Sequence, residues 1–198
     1  MQTVVVIGGG DVFETYNEYL DALRGRVLTL DRLRGKGWKS DLGEALSDGY
    51  EVLSLRMPCP DNAKYLEWKI VFEQLLSLLP EPAVFVGHSL GGIFLAKYFS
   101  EEKRFEQAKA LFLIAAPYVS EAGYSLVDFS LTEGLKDLTA SGVPIHLYQS
   151  KDDPIVSFSN IEQYIQALPF ATPHIFADRG HFLQEDFPEL VEDIRSLS

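Results

Sequence analysis

The chain contains little cysteine and little positive charge, and each shortage excludes a class of protein. Cys59 is the only cysteine in 198 residues, so no intramolecular disulfide can form, and a reducing compartment is compatible with the sequence. Lysine and arginine number 17 against 29 aspartates and glutamates, which gives a formal net charge of -12. Nucleic acids and anionic membranes are bound through concentrated positive charge, so we expect neither as a partner.

Targeting and membrane signals are also missing from the sequence. The opening MQTVVVIGGG has no cationic segment followed by an apolar stretch and a cleavage site, as a secretory signal would. No apolar run approaches the ~20 residues that span a bilayer. The length suits one domain, residues 1–198, and we expect a soluble, cytoplasmic protein.

What the sequence does contain is a regular alternation of strands and helices. Strands are predicted over residues 3–7, 51–55, 83–86, 110–115, 144–149 and 173–177. Helices are predicted over residues 16–24, 40–46, 63–79, 92–99, 130–140, 159–168 and 187–197, with capping boxes at Ser130–Glu133 and Ser159–Glu162. Residues 26–39 resemble an irregular surface excursion, although Val27, Leu28 and Leu30 are compatible with a short strand. The alternation predicts a mostly parallel sheet of about six strands with helices on both faces.

The stretch VFVGHSLGGIFL, residues 84–95, contains the motif that most strongly indicates a function. It places G-x-S-x-G, residues 87–91, between an apolar strand and a helix, which is the context of a nucleophile elbow. In such an elbow a strained serine, here Ser89, stands clear of the backbone, and the glycines let strand and helix approach closely. The backbone N–H of Leu90 would then face a developing oxyanion. The alternative is a buried strand-to-helix turn in which the serine is incidental.

The first strand ends in three glycines that two kinds of site can use. Gly8 and Gly10 begin a dinucleotide fingerprint, but Phe13 stands where the third glycine belongs, so this indication is weak. The loop after the first core strand also supplies the second oxyanion donor of serine hydrolases, and we assign that role to the N–H of Gly10. We expect no organic cofactor and no metal in the reaction.

A serine hydroxyl needs a positioned base, and four histidines are available. His88 adjoins the serine in a turn that separates consecutive side chains, so we expect it to pack behind the site. His146 and His174 lie inside predicted strands, where a core role suits both. His181 follows the last strand in the loop DRGHF, at the carboxyl end of the sheet where ligands of such folds bind. It is therefore the predicted base.

A carboxylate must orient the imidazole, and the loop SKDDPIV after the penultimate strand offers Asp152 and Asp153. We favour Asp153 because Pro154 fixes the backbone after it and the following apolar residues can anchor the loop. The alternative is that both aspartates merely decorate a turn. The chain order Ser89, Asp153, His181, each after a strand, is that of α/β-hydrolases. It predicts a three-layer α/β-hydrolase fold without a large lid domain.

At these residues the chain resembles the small α/β-hydrolases related to the retinoblastoma-binding serine hydrolase. The likeness runs along most of the chain and rests on the segments VIGGGDVFETY, MPCPDNAKYLEW, VGHSLGG, SKDDPIV and RGHFLQED. The resemblance implies Ser89 as nucleophile, Asp153 as acid and His181 as base, with N–H groups of Leu90 and of the Gly10 loop as the oxyanion hole.

The expected activity is the hydrolysis of small or medium carboxylic esters through an acyl-enzyme. Because the chain is too short for a large lid, we expect a modest, open pocket framed by Phe13, Met57, Tyr118 and Phe129. One departure from the family is Gly8, where many relatives carry a histidine. Two alternatives stay open: a protein-binding module with vestigial activity, and an enzyme that uses the same triad for acyl transfer or carbon–carbon cleavage. The expected partner is a small acyl substrate, and no residue pattern supports a protein partner.

Overall fold

Six parallel strands form the sheet of this protein. The computed structural model describes residues 1–28, 30, 37–121, 125–131 and 134–197. The strands are β1 (Gln2–Ile7), β2 (Tyr50–Leu55), β3 (Ala83–His88), β4 (Ala108–Ile114), β5 (Ile145–Ser150) and β6 (Thr172–Phe176). Their order in the sheet is β2-β1-β3-β4-β5-β6, and every neighbouring pair is parallel. The predicted sheet is confirmed, and the carboxyl ends of all six strands lie at one edge.

The helices connect these strands and cover both faces of the sheet. They are α1 (Tyr16–Gly25), α2 (Trp38–Leu46), α3 (Tyr65–Leu78), α4 (Leu90–Glu102), α5 (Lys136–Ala140), α6 (Ser159–Ala167) and α7 (Pro188–Ser196). Single 3₁₀ turns occur at Pro60–Asn62, Phe105–Gln107 and Val127–Phe129. Within the described ranges, no helix has both the length and the apolar character needed to cross a bilayer.

Two hydrophobic cores lie on opposite faces of the sheet because side chains alternate along each strand. On β1, Val5 and Ile7 belong to the core beneath α3, α4 and α6. Val4 and Val6 belong to the core beneath α2 and α7. The molecule is therefore the three-layer α/β arrangement that the sequence predicts.

The middle of the fold is its most buried part. Every residue of β3 is buried, and so is every residue of α4 from Leu90 to Phe99. A helix that is apolar on all sides must be enclosed by other elements, and α4 is enclosed by the sheet and the neighbouring helices. The turn between β3 and α4 is thus held by the best-packed elements of the chain.

Two details of the predicted helices need correction. The helix predicted from Ser130 begins only at Lys136, because Gly134 has φ 70°, a left-handed conformation that a helix cannot include. Glu133, the other half of that capping box, lies outside the described residues. Ser159 is the first residue of α6 rather than its cap, and its hydroxyl pairs with that of Ser157.

The excursion over residues 26–39 is only partly described. Val27 and Leu28 belong to no strand, so the short strand considered there is not formed at these residues. Residues 29 and 31–36 lie outside the described ranges. Helix α2 begins at Trp38, two residues earlier than the pattern predicts.

Candidate active site

Ser89 occupies a strained turn between the central strand and the central helix. Its φ of 55° and ψ of -122° lie in a region that side-chain-bearing residues rarely adopt. Two backbone hydrogen bonds hold it there: its N–H donates to the carbonyl of Ile114 at 2.8 Å, and its own carbonyl accepts from the N–H of Gly92 at 2.9 Å. The turn therefore has the geometry of the predicted elbow, at the carboxyl edge of the sheet.

Two glycines of the motif are required by close approach of the backbone. A Cβ atom on Gly87 would collide with the carbonyl of Gly91, and one on Gly91 would lie 2.5 Å from the carbonyl oxygen of Ile7. Gly8 is different, since a Cβ atom there would meet nothing within 4 Å. The backbone at Gly8 therefore leaves space for a side chain.

The glycine loop after β1 lies directly against the serine. A Cβ atom on Gly9 would lie 3.0 Å from Cβ of Ser89, and one on Gly10 would lie 3.3 Å from Cδ2 of Leu90. The loop is fixed by the N–H of Asp11, which donates to the carbonyl of Pro60 at 2.8 Å. The structure thus brings the Gly10 loop and the first residue of α4 to the same place, where both oxyanion donors were predicted. The roles of their N–H groups stay predictions.

Asp153 and His181 are joined by a hydrogen bond across the ends of β5 and β6. Nδ1 of His181 lies 2.9 Å from Oδ2 and 3.1 Å from Oδ1 of Asp153. The Asp153 side chain is 0% exposed and the His181 side chain 6% exposed. An ionised carboxylate only accepts hydrogen bonds, so Nδ1 of His181 carries the proton and Nε2 keeps a free lone pair.

The Asp153 carboxylate is oriented by three groups besides the imidazole's own N–H. The N–H groups of Ile155 and Val156 donate to Oδ1 at 2.8 and 3.0 Å. Nε2 of Gln149 donates to Oδ2 at 3.2 Å and to the carbonyl of Val156 at 2.9 Å. A buried carboxylate bonded on both oxygens has a fixed direction, so the imidazole that it binds is fixed as well.

Asp152, the alternative considered from the sequence, does a different task. Its Oδ1 accepts hydrogen bonds from the hydroxyl of Ser150 and from the N–H of Gly180, the latter at 2.9 Å. The hydroxyl bond, followed by the backbone bond, lowers the pKa of Asp152 below its ordinary value. Asp152 therefore ties the end of β5 to the loop of His181 without touching the imidazole.

The hydrogen bond between the serine hydroxyl and the imidazole is the one predicted contact of the three residues that is not formed in the structure. Among the described residues, the hydrogen bonds of the His181 ring go to Asp153, and Ser89 Oγ has no hydrogen-bond partner. Nucleophile and base are often further apart without substrate than in the reacting complex. The structure thus joins Asp153 to His181, and the link from His181 to Ser89 stays a prediction.

A chain of polar groups supports the loop of His181 from behind. Nζ of Lys39 donates to Nδ1 of His88 at 3.1 Å, so Nε2 of His88 carries its proton and donates to the carbonyl of His181 at 2.8 Å. The indole N–H of Trp38 donates to the next carbonyl, that of Phe182, at 2.9 Å. The start of α2 is therefore bonded directly to Phe182 through Trp38, and it reaches His181 only through Lys39 and His88.

Burial lowers the pKa values of the two titratable side chains in this chain of polar groups. It lowers the pKa of Lys39 to about 8. Burial, and then the charge of Lys39, lowers the pKa of His88 well below its ordinary value, so His88 stays neutral at physiological pH. The expected packing position of His88 behind the site is confirmed, since its side chain is buried between Trp38 and His181.

Sequence reasoning missed three residues of this surrounding shell. Gln149 is a polar residue at the carboxyl end of a buried strand, next to the SKDDPIV loop, and that position was a usable indication. Trp38 and Lys39 lie at the end of the excursion that no periodic pattern could place, so nothing in the sequence indicated their contacts.

The four predicted pocket residues are placed differently from one another. Phe13 lines a cleft beside the Gly10 loop, and Tyr118 is half-buried with its ring 4.8 Å from that of Tyr164. Met57 is 8% exposed. Phe129 is 0% exposed and packs edge-on against Trp68. The prediction that Phe129 frames the pocket is therefore corrected: the 3₁₀ turn that ends at this residue sends its side chain into the core.

Two clefts of similar volume lie in different parts of the molecule. One of about 430 Å³ is lined by residues that follow the Gly10 loop and by two residues of the loop after β4: Asp11, Val12, Phe13, Glu14, Glu18, Glu121 and Ser125. Another, of about 500 Å³, lies between α2 and α7, with Leu42 and Val191 among its lining residues. The first adjoins the predicted oxyanion loop, and the second is lined by α2, α7 and the residues just before α7.

A family model and a pairwise sequence comparison both relate this chain to serine hydrolases. A family model described as serine hydrolase matches residues 32–190. The chain is 28% identical over 167 residues to the serine hydrolase RBBP9 of Rattus norvegicus, covering 81% of this chain and 86% of that protein.

Solved structures of low sequence identity share the fold. The ydeN gene product of B. subtilis superposes with a TM-score of 0.71 at 20% identity, covering 100% of this chain and 98% of that one. A lipase-esterase related protein from Clostridium acetobutylicum superposes with a TM-score of 0.68 at 11% identity, covering 100% and 94%. Both support the α/β-hydrolase arrangement of sheet and helices.

Proposed function

Because the chain belongs to the serine hydrolase family, we propose that it is an esterase that cleaves small or medium carboxylic esters through an acyl-enzyme. Ser89 is the nucleophile, His181 the general base and Asp153 the carboxylate that orients it. The observation that carries the proposal is the buried hydrogen bond between Asp153 and His181, at the sheet edge where the strained Ser89 also lies.

The first half-reaction forms the acyl-enzyme. Nε2 of His181 takes the proton of Ser89 Oγ as that oxygen attacks the ester carbonyl. The Asp153 carboxylate stabilises the imidazolium that results. The oxyanion is held by the N–H groups of Leu90 and Gly10, each worth on the order of 3 kcal/mol. The imidazolium then protonates the leaving alcohol, and the ester C–O bond breaks.

The second half-reaction uses the same groups on water. Nε2 of His181 removes a proton from a water molecule, which attacks the acyl carbonyl, and the imidazolium returns a proton to Ser89 Oγ as the acid leaves. The residues that hold Asp153 and His181 in place therefore serve both steps. These steps use only groups of this chain, the ester and water.

The size of the cleft beside the Gly10 loop supports small or medium substrates. Its volume of about 430 Å³ lies at the lower end of the range for small-molecule sites. Phe13 offers an apolar surface in it, and the surrounding carboxylates do not favour a long lipid chain. A series of p-nitrophenyl esters of increasing acyl length tests this, with the highest kcat/KM expected for short and medium chains.

The assignment of the nucleophile is tested by Ser89→Ala. We expect loss of fluorophosphonate labelling and a fall in kcat of about 10⁶-fold, since removal of a nucleophilic serine has that order of effect. Ser77→Ala on the exposed side of α3 is the matched control and should keep both labelling and turnover. Turnover retained by a folded Ser89→Ala variant would reject the proposed mechanism.

A further inference from the structure

A second group of titratable side chains lies on β5, β6 and α7, away from the proposed active site. Nδ1 of His146 lies 3.1 Å from Nε2 of His174, and Nδ1 of His174 lies 3.3 Å from Oδ2 of Asp193. The hydroxyl of Tyr148 donates to the same carboxylate oxygen. His146 precedes the end of β5 at Ser150 by four residues, which places it ~13 Å from the carboxyl edge of the sheet.

The proton positions leave a lone pair on His174 that faces His146. The Asp193 carboxylate beside Nδ1 of His174 keeps the proton on that nitrogen, so Nε2 of the neutral ring is an acceptor. Nε2 points at Nδ1 of His146, which either donates a proton to it or presents a second lone pair. Two neutral nitrogens that face each other are a suitable ligand pair for a cation.

The distances match those around a small divalent metal ion. With zinc–nitrogen bonds of 2.0–2.1 Å, two nitrogen ligands of a tetrahedral ion lie about 3.3 Å apart, close to the separation of the two imidazole nitrogens. A carboxylate bound to the far nitrogen of a ligating histidine is a recurring partner that fixes the tautomer. One nitrogen or oxygen atom from each of His146, His174 and Asp193 lies within 4.8 Å of the other two, so the three side chains form one compact cluster.

Stacking fixes the planes of both rings. The His146 ring is stacked on Phe112 with centroids 4.5 Å apart and an interplanar angle of 8°. The His174 ring is stacked on Tyr148 at 4.3 Å and 4°. The His174 and Asp193 side chains are 20% and 27% exposed, so water can reach the cluster and complete a coordination sphere. The geometry is thus held by the surrounding residues before any ligand arrives.

We propose that His146 and His174 bind a divalent transition-metal ion of the Zn²⁺ class, with Asp193 holding His174 in the ligating tautomer. The ion is bonded to both nitrogens from a point off the line that joins them, and the proton of His146 then lies on its Nε2, as that of His174 lies on its Nδ1. Imidazole nitrogen is a preferred ligand of zinc and copper, whereas Mg²⁺ and Ca²⁺ prefer oxygen. The site takes no part in ester hydrolysis, and it holds or fails independently of the proposed function.

The test is a titration of the tag-free, full-length chain with ZnCl₂, measured by isothermal titration calorimetry. We expect one ion per chain, with affinity lowered at least 100-fold in His146→Gln and His174→Gln. Asp193→Asn should weaken binding by about 10- to 100-fold, as loss of such a partner does elsewhere. His181→Gln is the matched control because it removes the other histidine–aspartate pair, and its affinity should equal that of the wild type.

Two results would overturn the proposal. One is the lack of saturable binding at millimolar ZnCl₂, and the other is equal affinity in wild type and His146→Gln. Circular dichroism establishes that each variant is folded before titration. Should either histidine variant unfold, the proposal is tested by comparing wild type with Asp193→Asn. This substitution is at a partly exposed position of a helix. ZnCl₂ should raise the wild-type Tm more than that of the variant, and equal shifts would count against the site.

Discussion

Strands β5 and β6 carry two histidine–aspartate pairs built from the same groups but placed differently. One pair, Asp153 and His181, lies in the loops that follow the two strands. The other, His174 and Asp193, lies within β6 and on the helix α7 that covers it. In both, a carboxylate contacts Nδ1 and leaves Nε2 as the free nitrogen.

What the free nitrogen meets decides the chemistry of each pair. At the carboxyl edge, Nε2 of His181 lies in the loop region that also contains Ser89, and a base is useful there. Within the sheet, Nε2 of His174 meets the ring of His146 at 3.1 Å, and a ligand pair results. A histidine–carboxylate pair therefore does not by itself indicate catalysis, and its position relative to the strand ends does.

The largest expected contrast is between the two histidines themselves. His181→Gln should lower kcat/KM for a p-nitrophenyl ester by about 10⁴-fold or more, because the base is lost. His174→Gln should change it by less than about threefold, because the two sites are distant and share no partner. Steady-state kinetics on both variants measures the contrast. Equal losses in two folded variants would mean that the pairs do not differ as described.

The two aspartates of the SKDDPIV loop give the next contrast. Asp153→Asn should lower kcat by about 10⁴-fold, since an amide beside Nδ1 favours the wrong tautomer of His181. Asp152→Asn should cost less than about tenfold, because the asparagine carbonyl can still accept the bonds from Ser150 and Gly180. Kinetics at constant pH separates them. A larger loss for Asp152→Asn would reverse the assignment of the orienting carboxylate.

Local patterns explain why the sheet and the serine turn were predictable from the sequence. Alternating strands and helices predict a parallel sheet, and glycines on both sides of Ser89, between an apolar strand and a helix, are typical of a nucleophile elbow. The loops that carry Asp153 and His181 follow from the strand ends. Each of these inferences depends on residues that are neighbours in the sequence.

The supporting contacts depend on packing between distant segments and were not predictable in the same way. His146 and His174 meet because β5 pairs with β6 in a register that sets Tyr148 opposite His174. Asp193 joins them only because α7 crosses that face. Phe129 was expected at the pocket, yet the turn before it packs the ring against Trp68, a contact that its hydrophobicity alone does not specify.

Gln149 provides a smaller test of how tightly the catalytic pair must be held. Gln149→Met removes the hydrogen bonds to Asp153 and to the carbonyl of Val156, so we expect kcat to fall about tenfold with KM unchanged. The carbonyl left without a donor should cost about 1–3 kcal/mol in the free energy of unfolding. Urea denaturation and steady-state kinetics measure both. Gln166→Met on the exposed face of α6 is the control, and a change in KM alone would assign Gln149 to substrate binding instead.

The smallest expected effect concerns Lys39, a cation that supports only the His181 pair. Its pKa is lowered to about 8 in the folded protein from an ordinary value of 10.5, so the unfolded chain binds more protons between these two pH values. The free energy of unfolding of the wild type, relative to Lys39→Met, should therefore rise as the pH increases from 8 to 10.5. We expect a few tenths of a kcal/mol per pH unit, below the limit of about 1.4 for one proton, because a partly exposed ammonium is screened by solvent.

Urea denaturation of both proteins at pH 7, 8, 9 and 10 measures this difference. Lys136→Met, at an exposed position on α5, controls for the loss of one positive charge. Loss of the hydrogen bond to His88 lowers the free energy of unfolding of Lys39→Met by an amount that is constant wherever Lys39 keeps one protonation state. The change with pH of the difference between the two proteins, and not its constant part, therefore reports the burial of Lys39. If the difference in the free energy of unfolding between the two proteins did not change with pH, Lys39 would have the same pKa in the folded and the unfolded chain. Trp38 would then support the His181 loop without a buried cation beside it.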